Sequence, residues 1–169
     1  MFILNFVNNK NRKNMKKGII IGLIALLCAA SGLSQDYKTA IGIRGGFYNG
    51  LTIKHSLGGN AMIEGILTSR WKGFNVTGLY ELHNSTNVNR LNWYVGAGAH
   101  LGFWNGSNVK WANDNNGYTV IGIDGILGLE YNFEEVPFNV SLDWKPSMNL
   151  IGYKGFWGDG FALSLRYIL

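Results

Sequence analysis

The chain ends in Phe161-Ala162-Leu163-Ser164-Leu165-Arg166-Tyr167-Ile168-Leu169, where large apolar side chains alternate with smaller or polar ones. An alternation of period two places the two classes on opposite faces of a β-strand. One face of this segment then carries phenylalanine, leucine and tyrosine side chains, and the other includes Arg166. We therefore predict a strand that separates a strongly apolar face from a face with a charge.

The same alternation recurs along the chain after about residue 37, each time followed by a turn or a polar connection. It predicts an all-β chain whose eight antiparallel strands follow one another in up-and-down order, at residues 38–47, 51–57, 61–71, 74–83, 91–103, 118–133, 138–146 and 161–169. An even number of strands returns the C-terminus to the side of the N-terminus. The expected connections are 48–50, 72–73, 104–117 and 147–159 at one end, and 58–60, 84–90 and 134–137 at the other. Asn49-Gly50 is a strong hairpin signal and is expected to form the first turn.

The front of the chain has the three parts of a signal peptide. Met15-Lys16-Lys17 is a basic segment, residues 18–30 are apolar, and Gly32-Leu33-Ser34 supplies small residues for cleavage before Gln35. We predict a signal peptide at 1–34, with Met15 as an alternative start, and a β-barrel domain at 35–169. Cys28, the one cysteine, would leave with the signal peptide, so no disulfide or cysteine metal site is expected.

Charge is unevenly distributed. The sequence has 15 lysines and arginines against 10 acids, but five of those bases precede residue 18, which leaves the predicted barrel domain neutral. The basic balance therefore gives no reason to predict a nucleic-acid partner. Only 15% of the residues are charged, against about a quarter in soluble domains. An exported, aromatic-rich chain of low charge predicts a transmembrane barrel whose apolar faces meet lipid.

In such a barrel the charged side chains point into a lumen that eight strands make only wide enough for side chains. We predict that acids and bases pair there and close the lumen, because unpaired buried charges are very unfavourable. The alternative is a narrow channel for small or hydrophobic solutes. Inward glycines at 96, 98, 102, 122 and 128 would either make room for Arg44, Tyr94 and Arg166 or leave a small cavity. The predicted lumen ion network is Arg44, Lys54, Glu64, Glu81, Asp124, Glu130, Asp143, Lys145 and Arg166.

Aromatic residues are expected to sort by depth into two girdles, as at the two interfaces of membrane barrels. Near the chain termini these are Trp93, Tyr80, Tyr131, Phe133, Phe138 and Tyr167, and at the other end Phe47, Trp71, Phe74, Phe103, Trp144 and Phe161. Exposed aromatic side chains also often mark contact sites. The outer-loop contact candidates are Trp104, Trp111, Tyr153, Phe156 and Trp157; alternatively, they fold back and widen the girdle.

These features together resemble the small eight-stranded outer-membrane β-barrel family of OmpA, OmpX and OmpW type, over nearly all of the predicted barrel domain. The most specific part is the final strand, Phe161 to Leu169, which is similar to the C-terminal signal read by the barrel-assembly machinery. That signal often ends in an aromatic residue, whereas this chain ends in leucine. The resemblance implies a monomer in the cell outer membrane, with both termini periplasmic and with outer-membrane lipids and lipopolysaccharide around it. The family has several functions, so function stays open.

An enzymatic alternative rests on His83-Asn84-Ser85, whose His-x-Ser spacing resembles that of lipid A deacylases. The base of such a site must contact the nucleophile, but we expect the fourth strand to end at His83, which separates the pair. We therefore predict no catalytic residues. His55 and His100 are expected to stand alone, and residues 113–117 lack the glutamate of a calcium loop, so no metal and no cofactor are predicted. The predicted role is structural or surface interaction.

Overall fold

The computed structural model describes residues 38–70, 73–105, 117–152 and 154–169. They form ten strands: β1 Thr39–Gly46, β2 Asn49–Gly58, β3 Ala61–Arg70, β4 Gly73–Ser85, β5 Leu91–Asn105, β6 Gly117–Asn132, β7 Phe138–Trp144, β8 Ser147–Ile151, β9 Gly155–Trp157 and β10 Phe161–Ile168. Within these ranges there is no helix with the length and hydropathy needed to cross a membrane.

The sheet closes on itself into a barrel. Strands pair in sequence order from β1 to β6, β7 pairs with both β6 and β10, and β10 pairs with β1 to complete the ring. All pairings are antiparallel, and β8 continues the line of β7 along β6. The ring therefore has eight strand positions, which confirms the predicted all-β, eight-stranded, antiparallel up-and-down barrel.

The two rims of the barrel differ in their connections. β1 begins and β10 ends at the same rim, where Ala40 is paired with Ile168; we call this rim the near end. The opposite rim, which we call the far end, contains the β1–β2 connection and the hairpin of β8 and β9.

Residues 147–159 were predicted as a loop, and that prediction was wrong. β8 pairs with β6, and β9 folds back on β8. Pro146 cannot donate a hydrogen bond to the ladder, but its carbonyl accepts one from the Gly125 amide at 2.9 Å, which carries the sheet across the proline. Gly152 lies between the two short strands with a φ of 84°, a conformation that glycine adopts without steric cost.

Differences at two strand ends overturn specific predictions. β4 continues to Ser85, because Asn84 and Ser85 still pair with β5. Asn49 and Gly50 belong to β2 and do not form the first turn, since neither has the positive φ that a type I′ turn requires. The Asn49 side chain instead accepts a hydrogen bond from the Gly46 amide at 3.2 Å. This bond joins the end of β1 to the start of β2 across the turn.

Candidate functional site

Side chains are distributed in the inverse of the usual order for a soluble protein. Lys54 and Arg166, inside the barrel, are both 0% exposed, whereas Ile43 and Leu142, on the outside, are 62% and 57% exposed. Lysine and arginine are almost never fully buried unless they are paired, and large exposed apolar patches mark membrane or protein contact. The outer surface therefore suits hydrocarbon, and the inside must satisfy its charges internally.

Aromatic side chains pair across strands on the outer surface near both rims. Phe138 and Tyr167 lie edge to face near the near end, with ring centroids 5.3 Å apart. Trp144 and Phe161 stack near the far end at 6.2 Å. Their positions agree with the two predicted girdles, of which Trp71 lies outside the described residues.

Three glutamates converge on one lysine toward the near end of the lumen. Lys54 Nζ lies 2.8 Å from Glu81 Oε2, 3.3 Å from Glu130 Oε2 and 3.7 Å from Glu64 Oε2. The same ammonium stands 4.1 Å from the centre of the Tyr94 ring, in position for a cation–π contact. These residues come from β2, β3, β4, β5 and β6. Their contacts therefore connect five neighbouring strands through the lumen.

Arg166 of β10 supplies the second cation of this group. Its Nη2 donates to Glu64 Oε1 at 2.5 Å, its Nη1 donates to Ser141 Oγ at 2.8 Å, and Nη1 also lies 3.5 Å from Glu130 Oε2. Gly42 faces it from β1, where a Cβ would stand 2.8 Å from Arg166 Cγ, so the arginine stem occupies space that a side chain would fill. We call Lys54, Glu64, Glu81, Glu130 and Arg166 the near-end cluster.

Arg44 and Asp143 form a separate pair joined by two hydrogen bonds, of which Nη1–Oδ2 measures 2.7 Å. Such a bidentate contact is the strong form of an arginine–carboxylate pair. The Tyr94 hydroxyl donates to Asp143 Oδ2 at 3.2 Å. A Cβ on Gly128 would stand 2.5 Å from Tyr94 Cζ, so the absence of a side chain there makes room for the tyrosine ring.

A third charged group lies toward the far end. Asp124 accepts hydrogen bonds from Lys145 Nζ at 2.5 Å and from His100 Nδ1 at 2.7 Å. The other ring nitrogen of His100, Nε2, lies 2.9 Å from Asn149 Oδ1. Asn149 belongs to β8, so the strand that sequence reasoning missed contributes a partner to this group.

The structure places all nine residues of the predicted lumen ion network inside the barrel. Eight of them are at most 4% exposed, and the Lys145 side chain is 11% exposed. Their ion pairs form three groups, and Tyr94 connects two of these through its contacts with Lys54 and Asp143. Of the five glycines expected to make room for Arg44, Tyr94 and Arg166, Gly128 lies against Tyr94. Arg166 instead lies against Gly42, which is not one of the five, and at no described glycine is Arg44 among the atoms nearest to an added Cβ.

The expectation that strand four ends at His83 was wrong, and with it the argument that His83 and Ser85 cannot share a face. His83 is buried, its Nε2 lies 3.0 Å from Glu81 Oε2, and its ring stacks on Tyr94 at 4.8 Å. Ser85 is exposed, and no hydrogen bond joins it to His83 in the described part of the chain. Within those ranges, no three or more His, Cys, Asp or Glu side chains are arranged so that they could hold a metal ion.

A cavity of about 70 Å³ lies inside the far end. Trp104 and Trp157, predicted as outer-loop residues, line this cavity instead: Trp104 is part of β5 on its inward face, and Trp157 is part of β9. Phe156 points the other way and is 69% exposed. Trp111 and Tyr153 lie outside the described residues. The inward position of Trp104 could have been read from the alternation of strand five, had that strand been extended by two residues.

No protein-family model and no curated protein sequence matches the chain. Among solved structures, the N-terminal β-barrel domain of Pseudomonas aeruginosa OprF is similar, with a TM-score of 0.64 and 19% identity, over 80% of this chain and 100% of that one. A likeness at that identity concerns the fold, since one fold hosts many functions. The chain therefore has the fold of a small eight-stranded β-barrel, as that domain does.

Proposed function

We propose that this chain spans the outer membrane as a barrel with a closed lumen, and that its role is structural or one of surface interaction rather than solute diffusion. The observation that carries the proposal is the set of buried, mutually paired charges that lie inside the barrel. A solute would have to displace these pairs, and separating a buried pair leaves an uncompensated charge at a cost of about 3–5 kcal/mol.

The membrane location is supported by the apolar outer surface and by the aromatic pairs at both rims. Aromatic girdles that flank an apolar band are typical of outer-membrane barrels. In this proposal both termini are periplasmic, so the near end faces the periplasm and the far end faces outward. The chain is a monomer among outer-membrane lipids and lipopolysaccharide, and its last strand is recognised by the barrel-assembly machinery.

Conductance in planar bilayers tests the closed lumen. We expect the protein to insert without steps of nanosiemens size, and such steps in the unmodified protein would contradict the proposal. Small, solute-selective steps would favour the narrow channel instead. Glu135→Gln, at an exposed position in the β6–β7 turn, is the control for insertion and recording, because it changes a charge without touching the lumen.

Orientation can be tested separately with single cysteines, since Cys28 would be removed with the signal peptide. Gly158→Cys places a thiol in an exposed far-end position, and Glu135→Cys places one at the near end. In intact cells a membrane-impermeant maleimide should label the first variant alone. Both variants should react after the outer membrane is permeabilised, and the reverse pattern would overturn the proposed orientation.

A hydrolase is the second candidate, favoured by one observation: the bond between Glu81 and His83, with Ser85 two residues further along the same strand face. A carboxylate, a base and a hydroxyl in that order are the parts of an activated serine nucleophile. Purified protein incubated with lipid A tests it. Deacylation that disappears in Ser85→Ala and persists in Asn84→Ala, on the opposite face, would establish the hydrolase.

A further inference from the structure

In the far-end cavity, hydrogen-bond acceptors without a partner among the described residues lie in the same lining as aromatic side chains. We propose that it is a binding site for a small organic cation, an amine or alkylammonium group held by Asp159 and by the indoles of Trp104 and Trp157, all of which line the cavity. This proposal extends beyond the structural role and does not depend on which membrane surrounds the barrel.

Among the described residues, two side-chain oxygen atoms in the cavity lining have no hydrogen-bond partner. Asp159 Oδ1 and Asn75 Oδ1 are both buried, and neither has a hydrogen-bond partner among the residues that the structure describes. A buried acceptor without a partner is energetically unfavourable. Both atoms are acceptors, so the group that would satisfy them is a donor, such as an ammonium.

The charge balance of the lining also favours a cation. Arg44 is compensated by Asp143, and Lys145 by Asp124. Asp159 has no ion pair within the described ranges. Among the described residues of this lining, the charge left without an ion pair is therefore the negative one of Asp159, which argues against an anion even though two cations face the same space.

The indoles of Trp104 and Trp157 occupy space that is free because the neighbouring residues are glycines. The Trp104 indole lies where a Cβ on Gly73 or Gly102 would be, and a Cβ on Gly155 would stand 2.5 Å from the Trp157 ring. Each glycine thus lets an indole lie against the backbone at the cavity. Tryptophan offers the best face for a cation among the aromatic side chains, and the cavity lining contains two of them together with the Asp159 carboxylate.

The size of the cavity limits the ligand. A volume of about 70 Å³ is small beside the roughly 300–1,000 Å³ of drug-sized pockets. It therefore suits a compact cationic head group and excludes a bulky ligand.

Choline and its neutral carbon isostere, 3,3-dimethylbutan-1-ol, are the probes for this site, because they share their shape and differ in charge. Binding is measured by calorimetry and by the indole N–H signals in NMR spectra of the full chain refolded in a maltoside detergent, which carries no choline head group. We expect saturable choline binding that shifts the Trp104 and Trp157 signals, and no binding of the isostere. Equal binding of the two probes, or no binding of choline, would overturn the proposal.

Choline binding by substituted proteins tests whether the cation binds in the far-end cavity. Asp159→Asn should weaken choline binding at least tenfold, whereas Glu135→Gln, at the opposite rim, should leave it unchanged. Circular dichroism shows whether each variant is folded. Should Asp159→Asn not fold, Trp157→Leu provides the second test, with the same loss expected. If folded Asp159→Asn or folded Trp157→Leu binds choline as tightly as the unmodified protein, the cation binds elsewhere and the assignment is refuted.

Discussion

Replacement of Lys54 by methionine should be among the most destabilising single changes in the lumen. The near-end cluster contains two cations, Lys54 and Arg166, and three carboxylates, all at most 2% exposed, so its formal charge is −1. Lys54→Met keeps an unbranched side chain that is one atom shorter and changes that charge to −2. Removal of one partner from a buried pair costs about 3–5 kcal/mol, and here one ammonium serves three carboxylates.

The measurement is urea-induced unfolding of the protein in lipid vesicles, followed by tryptophan fluorescence. Lys154→Met, at an exposed position, is the matched control and should change the free energy of unfolding by less than about 0.5 kcal/mol. The double variant Lys54→Met/Glu81→Gln restores the formal charge of −1 and should recover a substantial part of the loss. The reasoning fails if Lys54→Met costs less than about 1 kcal/mol, or if the double variant is as unstable as the sum of the two single ones.

Three further substitutions, on the inner and outer faces of the barrel, are tested by the same urea-induced unfolding in lipid vesicles. Gly128→Ala should destabilise by about 1–3 kcal/mol, because the added Cβ would stand 2.5 Å from Tyr94 Cζ, whereas Gly125→Ala in the same strand meets nothing nearer than Pro146 Cγ at 3.6 Å and should be tolerated. Tyr94→Phe should cost about 1–3 kcal/mol by leaving Asp143 Oδ2 without that donor. Leu142→Arg, on the outer face, should cost about 2–4 kcal/mol in a bilayer; a cost near zero would contradict a lipid-facing position.

Much of the barrel could be predicted from the sequence, because a half-buried strand has a period of two and strands such as β6 keep that period over many residues. The alternation pattern gave wrong strand and turn positions where pairing with a neighbouring strand determined the local structure. Ser147–Ile151 is short and follows a proline, yet it completes the seventh strand position because β6 extends beyond β7 and offers it partners. Asn49-Gly50 is a strong local turn signal, but the register of β1 and β2 placed the turn at residues 47–48.

The lumen was easier to predict than the cavity. Charged residues on inward positions had to lie inside once the apolar faces were placed outside, so Lys54 and Arg166 followed from the alternation alone. Their grouping did not, because it depends on how far each strand is shifted along its neighbours. The cavity depends on Trp104 and Trp157 lying against glycines, and on Asp159 after β9, none of which a one-dimensional pattern reports.

The bonds that cross the lumen join residues far apart in the chain. Arg44 and Asp143 are separated by 99 residues, Arg166 and Glu64 by 102, and Arg166 and Thr52 by 114. Contacts of such long sequence separation form slowly, because the loop entropy is lost before the contact is gained. Arg166 lies on β10, so this strand has two roles. It closes the barrel by pairing with β1, and it supplies a cation that faces Glu64 and Glu130. In the proposed membrane location a partly formed sheet would expose those acids to hydrocarbon, so we expect insertion to be cooperative and to depend on the pairing of β10.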